Sequence, residues 1–159
     1  MAESTMNRRP AMGMTVMMQH DSTGWQLIGL LPESDPPPAS PRHRLVRDGG
    51  DSKIYQWQGL PLRLQPDQSD DYIYNLTSPG PMLFVICKTG QAGQPVPLRV
   101  TADQDECVAA VEFDEVVFQC PMPRPVIAWV REYVEIHWKP GPRRHERKGG
   151  DGRQRKRDS

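Results

Sequence analysis

Cys120 lies in the stretch QCPMPRPVIAWV (Gln119–Val130), between an apolar run and a Pro-x-Pro, just ahead of residues at helical spacing. A cysteine at a helix start gains acidity, because unpaired backbone N–H groups and the helix dipole favour the thiolate there. A thiolate so placed can attack an electrophile or carry sulfur. The plainer reading is a strand-to-helix corner in which the cysteine is a small hydrophobe. We read CPMP as that corner and keep Cys120 as the alternative reactive residue.

The other chemistry-bearing residues are more scattered. Cys87, Cys107, Cys120 and His137 show no closely spaced ligand pair, the usual signature of structural zinc. Met12, Met14, Met17 and Met18 offer soft thioethers that suit Cu(I), but their near-alternate spacing equally suits core positions of a strand. His20-Asp21 and Ser69-Asp70-Asp71 fall at turn-like positions with no adjacent nucleophile. The chain has no G-x-S-x-G, no phosphate-binding glycine loop and no H-E-x-x-H. No catalytic constellation, metal or cofactor is expected.

Charge is unevenly placed. Residues 143–159 hold eight Lys/Arg against three acids, while the remainder has 12 basic and 17 acidic residues, so +5 faces −5. The basic members, Arg143, Arg144, Arg147, Lys148, Arg153, Arg155, Lys156 and Arg157, are the candidate partner-binding residues. They can steer the protein toward an acidic partner. They can also neutralise phosphates, the second alternative, although no aromatic residue is interleaved for base stacking. Three cysteines without C-x-x-C fit a reducing compartment. Arg8-Arg9 precede too short an apolar stretch for an export signal, and no run reaches the roughly 20 apolar residues of a membrane span. A cytoplasmic location is expected.

These residues must be positioned by a mixed fold. Met12–Met18 alternate as a strand, HDSTG (His20–Gly24) turns, and WQLIGLLP (Trp25–Pro32) answers as the second arm of a hairpin. Residues 32–44 are Pro- and Ser-rich and read as a surface loop. KIYQWQGLPLRLQ (Lys53–Gln65) is a strand, with Pro61 at a sheet edge or bulge. PDQSDDYIYNL (Pro66–Leu76) opens as a turn and ends strand-like. PMLFVICKT (Pro81–Thr89) is the central strand, followed by VPLRV (Val96–Val100) and EVVFQC (Glu115–Cys120). Thr101 with Gln104 forms a capping box opening a short helix. Val126, Val130, Tyr133, Val134 and His137, widened by Ile127 and Trp129, form one face of a longer helix that Pro140 and Pro142 end. The expected architecture is α+β: a mostly antiparallel sheet of five to seven strands, with a short helix and a longer C-terminal helix on one face. Residues 1–11 are read as a flexible N-terminus, 12–139 as one domain and 140–159 as a disordered basic tail.

Two resemblances bear on function. Cys120-Pro121-Met122-Pro123 before a helix is similar to the Cys-Pro-x-Pro of the small TusA-like sulfur carriers, which implies a persulfide on Cys120 shaped by Pro121 and Pro123. That likeness spans about a dozen residues, and the chain that follows is too short for the carrier fold. A wider set is carried by Trp25, YIYNL with Asn75 and Leu76, Pro81, Val85, VTA (Val100–Ala102), PMP (Pro121–Pro123), AWV (Ala128–Val130), His137 and a basic end. In order and spacing, from about Thr15 to Lys148, it resembles the bacterial family called domain of unknown function 3305. That family has an aliphatic residue where Cys120 stands. Its genes lie among those for formate dehydrogenase-type molybdenum enzymes, iron–sulfur proteins and their chaperones. The resemblance therefore implies a non-catalytic accessory or adaptor whose partner is a molybdenum or iron–sulfur oxidoreductase subunit or its chaperone.

Overall fold

Alternation of apolar side chains builds most of the sheet. A computed structural model of the chain describes residues 10–34, 37–38 and 40–138. Strands β1 (Ala11–Asp21) and β2 (Gly24–Pro32) form the expected hairpin, with Asp21 opposite Gly24. Met14, Val16 and Met18 of β1 point inward and are fully buried, as the period of two requires. β3 (Arg42–Asp48), β4 (Lys53–Arg63), β5 (Met82–Thr89), β6 (Pro95–Thr101) and β7 (Val116–Pro121) complete a seven-stranded sheet. Its order is β2-β1-β4-β6-β5-β7, with β3 on β4 beside that path. Every pairing is antiparallel except β4 with β6, which meet in parallel at Leu62 and Val100. β7 comes back against β2, so the sheet curls nearly into a barrel.

Three helices occur among the described residues: α1 (Ser69–Leu76), α2 (Gln104–Glu112) and α3 (Arg124–His137). α3 carries the predicted face. Val126 and Val130 are fully buried, Tyr133 and Val134 nearly so, and all four join Met14, Leu62, Leu83 and Val85 in one core. Full burial of each valine contributes about 1.5–3 kcal/mol. His137, predicted on the same face, is exposed and rests against Tyr133 at 4.2 Å between ring centroids. β5 is the apolar strand expected, with five consecutive buried residues from Leu83 to Cys87.

Four local readings change. The segment YIYNL is helical, not extended. Ser69 and Tyr72 are buried while Tyr74 is 73 % exposed, a helical periodicity, and Asp70 and Asp71 supply negative charge to the first turn. Asn75 then fixes the helix end. Its Nδ2 donates to the Met82 and Ala102 carbonyls at 2.8 and 2.9 Å, and its Oδ1 accepts from the Met82 N–H at 2.9 Å. Second, β3 begins inside the segment read as loop. All seven of its residues are exposed, so it has no buried face to create alternation. Third, the cap of α2 is Asp103, whose carboxylate accepts from the Asp105 N–H at 3.0 Å; Thr101 instead accepts from the Asp103 N–H. Fourth, Pro61 is in an interior strand, where β4 passes from its partner β3 to its partner β6. Two residues earlier a bulge sets Gly59 at φ +83°, and Glu33 accepts from its N–H at 2.8 Å.

The described residues start one residue before β1, and β1 itself begins at Ala11. No described helix is long and apolar enough to cross a membrane.

Candidate functional site

Among the described residues, side chains able to take part in function gather in two places. The first is the end of the sheet where β1, β2, β3 and β4 run side by side. Residues at matching positions on successive strands project to the same face, and here they are aromatic. His20 stacks on Trp25 across the hairpin at 4.5 Å between centroids, and Trp25 meets Tyr55 at 5.3 Å. His43 from β3 stacks on Trp57 at 4.4 Å and on Tyr55 at 5.9 Å. A ladder of five rings thus crosses four strands. Trp57 is its buried foot, Trp25 and Tyr55 are half-buried, and His20 and His43 face solvent.

Beside the ladder, β3 is paired along one edge by β4 and along the other by no strand among the described residues. An edge strand leaves alternate N–H and C=O groups without a ladder partner. β3 also carries Arg42, Arg44 and Arg47, with Leu45 and Val46 46 % and 38 % exposed. Arg44 is held along the sheet by Nε donating to Gln56 at 3.1 Å.

The second place is the helical side. Asp71 of α1 meets Asp103 and Asp105 at the start of α2, with one carboxylate oxygen from each within 4.8 Å of the others. Oxygen donors of this kind suit a hard divalent cation. The side-chain amide of Gln68 lies beside the Asp71 and Asp103 carboxylates, and its chemistry calls for the nitrogen, the donor, on that side. Burial pushes the Asp103 carboxyl up to about 7, reinforced by the charge of Asp71. Adjacent to this cluster, a groove of about 500 Å³ runs between α1 and α2, lined by Tyr74, Val108 and four carboxylates among others.

Cys120 belongs to neither place. It is half-buried in β7 opposite Leu83, four residues before α3, and packs against the core. Burial raises its thiol pKa, the direction opposite to that of an activated nucleophile. Cys87 and Cys107 are buried too, with thiols pushed to about 12. His137 is on α3, whereas Cys87, Cys107 and Cys120 come from β5, α2 and β7, and the four are not among the groups able to share an ion. Met14 and Met18 are core residues. The candidate partner-binding residues Arg143 to Arg157 lie outside the described residues.

The ring ladder leaves only a partial signal in the sequence. Tyr55 and Trp57 are two apart in one strand, and His20 and Trp25 flank a turn, so each pair shares a face once the strands are known. Only the pairing of β3 brings His43 to them. Asp103 gives no such signal, since a carboxylate close to Thr101 reads as ordinary turn chemistry.

No curated protein and no solved structure matches the chain. A family model does, over residues 14–147, which include the ladder, the acidic cluster and all three helices. By that match the chain belongs to the family described as protein of unknown function (DUF3305).

Proposed function

We propose that the protein is a non-catalytic accessory protein that docks on another protein through β3 and the ring ladder. The observation that carries this reading is the exposure of β3 along its whole length beside five clustered rings. An extended segment of a partner can add to such an edge by main-chain hydrogen bonds, and aromatic side chains supply contact area with little loss of rotamer freedom. Arg42, Arg44 and Arg47 favour an acidic segment. β3 offers main-chain hydrogen-bonding groups beside the rings, which an extended peptide can use and a stacked base cannot, so a protein partner fits better than a nucleic acid. The partner implied by the family resemblance is a molybdenum or iron–sulfur oxidoreductase of formate dehydrogenase type, or its chaperone, during assembly.

The test is binding of the purified oxidoreductase subunits and chaperone to the immobilised full-length protein. Wild type should retain at least one of them, and the Trp25→Ala/His43→Ala variant should weaken retention at least tenfold while keeping its far-UV circular dichroism. Retention of none by wild type, or equal retention by the variant, overturns the reading.

A further inference from the structure

The groove between α1 and α2 has an apolar floor that no described element covers. Tyr74 is 73 % and Val108 56 % exposed there. Its rim is Asp70, Asp71, Asp105 and Glu112, and no basic side chain lines it among the described residues. An apolar floor with a one-signed rim favours an occupant that brings both the opposite charge and hydrocarbon, which arginine and lysine stems combine.

The chain itself delivers such an occupant to this place. Trp138, the last described residue, donates from Nε1 to the Asp70 carboxylate at 2.7 Å, so the polypeptide leaves α3 at the rim. The remaining residues, 139–159, hold nine Lys/Arg against three acids. Fully extended, ten residues reach roughly 33 Å, whereas the nine-residue α2 is about 13 Å long. Arg143, Arg144, Arg147 and Lys148 therefore lie within reach of the whole rim. Tethering a few residues away gives an effective concentration on the order of millimolar, well above that of a free partner.

We propose that the α1–α2 groove is the seat of the chain's own segment 139–159, with its basic side chains along the acidic rim and their stems over Tyr74 and Val108. This goes beyond the docking role of β3 and does not depend on it. Each pair at a half-exposed rim is weak and screened by salt; several together, on one tether, hold the segment. A seated segment has its positive charge masked, so it is offered to an acidic partner only when that partner outcompetes the groove.

The test is zero-length carbodiimide cross-linking of the full-length protein, which joins amines to carboxylates in direct contact, followed by peptide mass spectrometry of the monomer band. Links from Lys148 or Lys156 to Asp71, Asp105 or Glu112 are expected. Their yield should fall at least fivefold in 0.5 M NaCl and at least tenfold in Val108→Arg, which puts a like charge on the floor and adds no amine. Should Val108→Arg fail to fold, the Asp105→Asn/Glu112→Gln variant, read at Asp71, must show the same loss. Links spread evenly over surface carboxylates, or unchanged in the variants, overturn the proposal. So do links confined to the dimer band, which would make a second copy's basic segment the occupant.

Discussion

The ring-bearing end of the sheet and the helical side draw on different residues, rings and arginines at the first and carboxylates at the second. At the sheet end, aromatic residues line up because four strands in register present them on one face, while Arg42, Arg44 and Arg47 alternate with them onto the other face of the exposed strand β3. On the helical side, acidic residues converge because the first turns of two helices meet, and one carboxylate, Asp103, is 5 % exposed. The first region is periodic and shallow, so it can accept a partner with little rearrangement. The second is locked by hydrogen bonds that Asn75 donates to the Ala102 carbonyl and Trp138 to the Asp70 carboxylate, partners 27 and 68 residues apart in sequence. Substitutions should therefore act on binding at the sheet end and on stability at the helical side.

The sharpest break would come at the base of the helical side. Val130 is fully buried among strand residues, and Val130→Asp forces an unpaired carboxylate into that core. Loss of several kcal/mol is expected, on the order of the whole stability of a small domain, seen as collapse of the near-UV and far-UV circular dichroism. Next is Asn75→Ala, which leaves the Met82 N–H and Ala102 carbonyl without their side-chain partner. A cost of about 1–3 kcal/mol should appear as a lower midpoint in urea.

Asp103 gives a pH-resolved contrast. Burial raises its carboxyl to about 7 when folded, from the ordinary 3.8. Between those values the folded protein holds a proton that the unfolded chain has released, so this group's contribution to stability falls as pH rises through the window. Asp103→Asn keeps a good N-cap and removes the titration. The variant should match wild type near pH 4 and be the more stable of the two at pH 8, by urea denaturation at each pH. Equal pH slopes would mean that the cluster is not electrostatically linked to folding.

The smallest effect belongs to the sheet end. His43 is exposed on an edge strand, so His43→Ala should shift stability by less than about 0.5 kcal/mol, measured by thermal melting, while still weakening the proposed partner contact. A large loss of stability would make the ladder a structural element and erase the contrast between the two regions.

What could be read from the chain was whatever repeats locally. Val126, Val130, Tyr133 and Val134 recur every three or four residues, so their burial in α3 was legible without knowing what covered them. The same holds for alternation in β1 and for the unbroken apolar run of β5, where each side chain's neighbours i±2 or i±4 carry the information. YIYNL was misleading because aromatic and β-branched residues favour a strand intrinsically, whereas the hydrogen bonds of Asn75 to β5 and to the residue after β6 are tertiary and override that preference. β3 was invisible because an edge strand exposed on both faces leaves no pattern. The ring ladder and the meeting of Asp71 with Asp103, 32 residues apart, follow from register and helix placement alone. Sequence by itself thus settled which faces are greasy, since that is a property of neighbours along the chain. Tertiary structure decided which polar and aromatic groups meet, because contact across strands and between helices is fixed only when the whole core closes.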